Sequence, residues 1–348
     1  MTMTISKTMK AIVYTAKETF SVTNVPTPEP RGTEVLIKVH TCGLCKTDVH
    51  IHHGEFFSDY PLIPGHEMAG EVAAVGERVS RVRVGDRVTA DNLRHCGNCY
   101  FCRRGELLLC ENLYAQGGNA PGGYAEYVLV EEKQVYHLAD DISFEEGALV
   151  EPTACAVHGL DVIRPRVGDE ALLFGAGPTG LILAQLLRHS GVERLVVVNR
   201  NAEKLALAAR WADAIAIQPD PARPQAHVEE IKQRYPHGFD IVADATGIPS
   251  IIESMPQFAK YGGKVVIYGV APEDALIQIS PYEIFRRELT LLGSFAQAYT
   301  FERAVRLINS HVVKVKEMVT HTFPLEEWDT ALRMSMEGRE HVKIVMKP

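Results

Sequence analysis

From Ala171 the chain reads ALLFGAGPTGLILAQLL, an apolar run broken near its middle by Gly175, Gly177, Pro178 and Gly180. The run is nearly long enough to span a bilayer. Breakers at its centre instead predict a buried strand that turns into a buried helix, so no membrane span is expected. The same rhythm continues down the chain. RLVVVN, AIAIQ, DIVADATG, KVVIYGV and LTLLGSF predict further strands, and AEKLALAARWA, HVEEIKQRY and PSIIESMPQFA predict helices among them. Apolar strands with helical crossovers predict a doubly wound parallel sheet.

At 348 residues the chain exceeds one comfortable core, which predicts about two domains with a cleft between them. Hydrophobic residues make up 46% and charged residues 23%, the balance of an ordinary globular protein. The formal charge is 36 − 44 = −8, without a lysine or arginine block. That balance argues against nucleic acid or an anionic membrane and leaves a small molecule as the expected partner. The opening MTMTISKTMKAIVY lacks the pattern of a secretory signal, so a cytoplasmic, reducing location is expected.

Within the first strand and helix, Gly175-x-Gly177-x-x-Gly180 fits the dinucleotide fingerprint. Its first glycine makes the tight turn, the second admits the pyrophosphate, and the third lets helix pack on strand. Pro178 and Thr179 open that helix, where free backbone amides await phosphate. The second strand ends in VVVNRNAEK, with Asn199, Arg200 and Lys204 where a ribose-binding carboxylate would select NAD. A cation without a carboxylate there predicts NADP, with NAD possible, because arginine forks onto phosphate. The plain alternative is an exposed surface arginine. Thr246, Gly269, Ser294 and Phe295 follow later strands and complete the candidate coenzyme contacts.

Four of the seven cysteines fall between Cys96 and Cys110, spaced C-x2-C-x2-C-x7-C through Cys99 and Cys102. In a reducing compartment such a cluster predicts a closed structural zinc site. An iron–sulfur cluster and free thiols are the rival readings. A second set is more dispersed. Cys45 in HTCGLCKTDVH, His66 and Glu67 in PGHEMAG, and Glu151 in ALVEPTACAVHG offer sulfur, nitrogen and oxygen. Cys45, His66 and either glutamate would hold zinc with one coordination position open to substrate, as catalysis requires. Taken singly, each is as well explained by packing or an ordinary hydrogen bond.

With these pieces in order, the chain resembles the zinc-containing medium-chain dehydrogenases along essentially its whole length. The resemblance rests on CGLCKTDVH, GHEMAGEVAAVGERVSRVRVGDRV, the four-cysteine lobe, GGYAEYV and GAGPTG. It implies an α/β protein with a GroES-like β-rich catalytic domain over residues 1–157 and 297–348. A Rossmann coenzyme domain over 158–296 is inserted between, with the active site in the cleft. Glu151-Pro152 is similar to the polyol dehydrogenases, of which sorbitol, xylitol and D-arabinitol dehydrogenases are examples. Ala296-Gln297 stand where the sorbitol-type enzymes commonly carry Arg-Tyr.

The resemblance further implies zinc-dependent hydride transfer between a sugar alcohol and NADP, giving a ketose. Thr47 would take the alcohol proton, and His50 would pass it to solvent through the coenzyme ribose. Asp48 would orient His66. Helix capping for Thr47 and a surface role for His50 are the alternatives. Phe56, Phe57 and Tyr60 are expected to wall the substrate. A homo-oligomer, dimer or tetramer, is expected. The competing functions are a secondary alcohol or L-threonine-type dehydrogenase and a non-catalytic member of the superfamily.

Overall fold

The computed structural model describes residues 5–55, 59–338 and 341–348. The chain divides into two compact units, residues 1–154 with 301–348, and residues 155–300. Phe56 and Phe57 lie outside the described residues.

The first unit is built on strands. β1 (Thr8–Ala16) and β2 (Thr19–Pro26) form an antiparallel hairpin. A seven-stranded sheet centres on β3 (Glu34–Leu44) and β4 (Glu67–Val75), which pair antiparallel. The C-terminal strand Lys343–Lys347 pairs with β3 on its other side, with Ile344 opposite Leu44. A short helix, α1 (Lys46–His52), follows β3 directly. Val35, Ile37, Met68, Val88, Tyr124, Trp328, Ile344 and Met346 belong to one buried cluster. Burying such side chains stabilises the unit by about 1.5–3 kcal/mol each.

The second unit holds a six-stranded sheet among its described residues. Its spatial order is Ile215–Ile217, Arg194–Val198, Glu170–Phe174, Phe239–Asp244, Ala259–Ile267 and Thr290–Gly293, with every neighbouring pair parallel. Numbered along the unit, that is the order 3-2-1-4-5-6 of a Rossmann sheet. The three central strands, Arg194–Val198, Glu170–Phe174 and Phe239–Asp244, are largely buried, as strands covered on both faces are, whereas the edge strand Thr290–Gly293 is mostly exposed. The order reverses between Glu170–Phe174 and Phe239–Asp244, so their carboxyl ends open a crevice suited to a dinucleotide. The apolar window seen in the sequence is strand Glu170–Phe174 followed by helix Pro178–His189. Among the described residues no helix is long and apolar enough to cross a membrane.

Candidate active site

Sheet register brings the dispersed ligand candidates together. β3 ends at Leu44, and Cys45 takes an extended conformation as the N-cap of α1. His66 immediately precedes β4 and Glu67 opens it, opposite Gly43 of β3. A Cβ on Gly43 would stand 2.0 Å from Glu67 Oε2, so a residue without a side chain leaves room for the carboxylate. Cys45, His66 and Glu67 each present a ligand atom within 4.8 Å of the others.

Asp48 ties the two ligand-bearing segments to one another. Its Oδ2 accepts from the Cys45 N–H at 2.9 Å and from Tyr124 Oη at 2.7 Å. Its Oδ1 lies 3.6 Å from His66 Nδ1. Burial pushes the Asp48 carboxyl up, partly offset by His66 and the Cys45 N–H. Burial pulls the His66 imidazole down, but Asp48, Cys45 and Glu151 outweigh it and hold the ring well above its ordinary value.

Lys343 is a partner that sequence reasoning missed. Its Nζ donates to Glu67 Oε1 at 2.6 Å, and the two side chains are 3% and 1% exposed. Burial lowers the Lys343 pKa, yet Glu67, Cys45 and Glu151 raise it overall. A signal was present: Lys343 shares a strand face with Val345, which is fully buried, because alternate residues point the same way. Glu151 is itself buried, in helix Val150–Ile163, and acts electrostatically on both His66 and Lys343. A sulfur, an imidazole and a carboxylate converging in this acidic surround form a donor set that fits zinc.

The relay candidates sit on α1 at positions i and i+3, one face of the helix. Thr47 Oγ1 is 3.6 Å from Cys45 Sγ. His50 Nδ1 is 2.7 Å from Glu55 Oε2, with the imidazole 19% exposed. Tyr60 donates from Oη to the Ile51 carbonyl at 2.7 Å, so its ring packs on the helix.

The four-cysteine lobe is equally concentrated. The sulfurs of Cys96, Cys99, Cys102 and Cys110 lie within 4.8 Å of one another, and all seven cysteines are free thiols. Backbone amides already serve the sulfurs: Cys102 N–H donates to Cys99 Sγ and Cys96 N–H to Cys110 Sγ, each at 3.4 Å. The amides of Asn98 and Cys99 pull the Cys96 thiol down to about 6. Four convergent sulfurs, some pre-disposed to the thiolate, fit a structural zinc.

In the second unit, Gly175 has φ +105, a conformation that favours glycine. A Cβ on Gly180 would meet the Gly175 carbonyl at 2.4 Å, while one on Gly177 would meet nothing within 4 Å. The loop is therefore tight at its first glycine, packed at its third and open at its second, as a pyrophosphate requires. Pro178 takes the first turn of the following helix, with Thr179 next to it. Asn199 Oδ1 accepts from the Ala176 N–H at 3.2 Å, linking the loop to the second strand end.

The remaining coenzyme candidates have separate environments. Arg200 is exposed, whereas Lys204 is buried, its N–H donating to the N-cap Asn201 at 2.9 Å. Thr246 and Gly269 gather around Asp244, a buried carboxylate the sequence reading did not single out. Its Oδ1 accepts from the Thr246 N–H at 2.9 Å, and its carbonyl accepts from the Gly269 N–H at 2.9 Å. Ser294 N–H donates to the Ile267 carbonyl at 3.0 Å, and Phe295 is exposed.

Comparison with known proteins is consistent with both units. The alcohol dehydrogenase GroES-like domain matches residues 31–140, and the zinc-binding dehydrogenase domain matches residues 178–310. The chain is 42% identical to D-arabinitol dehydrogenase 1 of Uromyces fabae, over 100% of this chain and 99% of that protein. The chain belongs to the zinc-binding alcohol dehydrogenase family. This dehydrogenase is also 34% identical to D-altritol 5-dehydrogenase of Agrobacterium fabrum, over 92% of this chain and 94% of the other. A zinc-binding dehydrogenase structure from Sinorhizobium meliloti 1021, bound to NADP, superposes with a TM-score of 0.91 at 34% identity. It covers 99% of this chain and 100% of its own. The protein is thus an oxidoreductase of the zinc and nicotinamide class.

Proposed function

We propose that this dehydrogenase interconverts a sugar alcohol of the D-arabinitol or xylitol kind and its ketose, with NADP preferred over NAD. The observation that carries the chemistry is the convergence of Cys45, His66 and Glu67 within 4.8 Å, braced by Asp48 and Lys343. Similarity to dehydrogenases named for D-arabinitol and D-altritol supports the substrate class. Support for NADP comes from exposed Arg200, at a strand end without a carboxylate, and from the NADP-bound structural relative.

Zinc would be held by Cys45, His66 and a glutamate, Glu67 or Glu151, and supplies positive charge beside the substrate hydroxyl, while the nicotinamide supplies the hydride acceptor. Thr47 Oγ1, beside Cys45, would take the hydroxyl proton while releasing its own on the side of the coenzyme ribose. His50, on the same helical face and bonded to Glu55, passes that proton to solvent. Asp48 keeps His66 oriented and limits its freedom to turn. Cys96, Cys99, Cys102 and Cys110 would hold the structural zinc. The Gly175–Gly180 loop would seat the pyrophosphate, with Pro178, Thr179, Asn199, Lys204, Thr246, Gly269, Ser294 and Phe295 around the coenzyme. A homo-oligomer is proposed through the edge strand Thr290–Gly293, near which Tyr282 and Phe285 are exposed.

The test is the initial rate of nicotinamide reduction with D-arabinitol, xylitol, sorbitol, mannitol and L-threonine, each with NADP and NAD, with and without a zinc chelator. Chelator-sensitive oxidation of a pentitol with NADP preferred is the expected result. Activity on L-threonine or simple alcohols alone would overturn the substrate, and preference for NAD would overturn the coenzyme.

A further inference from the structure

A pair of histidines beside a glutamate lies outside the dehydrogenase machinery. His52 ends α1 and His53 is its C-cap, while Glu18 occupies the turn between β1 and β2. The turn is docked on the helix end, because the Glu18 N–H donates to the His52 carbonyl at 2.9 Å. His53 Nδ1 lies 2.9 Å from Glu18 Oε1. One ring nitrogen from each histidine and one Glu18 oxygen fall within 4.8 Å of one another.

We propose that Glu18, His52 and His53 form a further binding site for a divalent transition-metal ion. Two imidazoles and one carboxylate suit zinc, nickel or copper, and the nitrogen donors disfavour magnesium and calcium. His53 and Glu18 already face each other across a hydrogen bond, so an ion entering there replaces the shared proton. His52 brings the support that metal-bound imidazoles commonly carry. One of its nitrogens, Nδ1, lies 3.0 Å from Tyr14 Oη, which accepts from buried Trp328 Nε1 at 2.9 Å. The imidazole is thereby anchored to the core of the first unit. His53 and Glu18 are 38% and 57% exposed at their side chains, which gives an ion access and lets water complete its coordination. Occupancy would clamp the β1–β2 turn onto the helix that carries Thr47 and His50. None of the three ligands belongs to the proposed catalytic set, so this site stands or falls independently of the substrate assignment.

The experiment uses the zinc-loaded enzyme, dialysed against increasing Ni2+, with nickel and zinc per chain counted by plasma mass spectrometry. The expected result is one added nickel per chain at constant zinc, together with a nickel-dependent rise in Tm. Glu18→Gln, at an exposed position, and His53→Gln, at a half-buried one, should each weaken nickel binding at least ~10-fold, the low end of what even indirect partners of a metal contribute. Both variants should keep the wild-type Tm in the absence of nickel, as well as the wild-type zinc content. Nickel that enters only as zinc leaves, or that binds both variants as it binds the wild type, would overturn the proposal.

Discussion

Replacing Lys343 by Met tests the physical core of the candidate active site. The substitution keeps the length and much of the bulk of the side chain but removes the ammonium that lies 2.6 Å from Glu67 Oε1. Both partners are almost completely buried, so solvent cannot take over the lost interaction. Removing one member of a buried pair costs about 3–5 kcal/mol, because the other charge stays desolvated. That is a large share of the roughly 5–15 kcal/mol that separates folded from unfolded chains.

The two tryptophans provide the assay. Trp328 lies in the core of the first unit and Trp211 in the second, so a Trp211→Phe background makes fluorescence report on the unit that contains Lys343. Urea unfolding of Lys343→Met in that background should lose about 3–5 kcal/mol with an unchanged denaturant slope. Glu67→Leu alone should cost a similar amount by orphaning the ammonium. The double variant should cost far less than the two singles together, since neither charge is then left unpaired. Zinc content measured alongside separates metal loss from loss of the ion pair. Strict additivity, or a loss below about 1 kcal/mol for Lys343→Met, would refute the assignment of a buried, mutually dependent pair.

Other consequences are as direct. Cys99→Ser should leave one fewer zinc per chain, counted by plasma mass spectrometry, and lower Tm without removing the coenzyme fingerprint. Arg200→Ala should raise KM for NADP by about 10–100-fold and leave KM for NAD nearly unchanged, the scale of a lost charge-assisted hydrogen bond. Phe285→Glu should shift the protein toward the monomer in sedimentation velocity if the Thr290–Gly293 edge pairs subunits. Asp240 is pushed up by burial but held below its ordinary value overall by Lys260 and the Glu170 N–H. A depressed carboxylate stabilises the fold above its unfolded pKa and loses that contribution as pH falls through the folded value. The gap in urea midpoint between wild type and Lys260→Met should therefore be full near neutrality and narrow as pH falls below the ordinary value of 3.8.

What could be read from the sequence was local. The six strands of the second unit announced themselves as short apolar runs, and the Gly175–Gly180 loop and the Cys96–Cys110 lobe each carry their candidate chemistry within one short stretch of chain. Cys45, His66 and Glu67 are separated in sequence and meet because β3 and β4 pair antiparallel with Gly43 opposite Glu67. Motif order pointed to these residues as candidate ligands, but only the register explains why the position opposite Glu67 has no side chain. Lys343 was harder still. A lysine near the end of a strand reads as a solvated charge, and its partner is 276 residues away. It reaches Glu67 because the Lys343–Lys347 strand pairs with β3, setting Ile344 against Leu44 just ahead of Cys45. The candidate donor set therefore acquires its buried cation only when the Lys343–Lys347 strand joins the sheet. That dependence ties completion of the candidate metal site to completion of the fold.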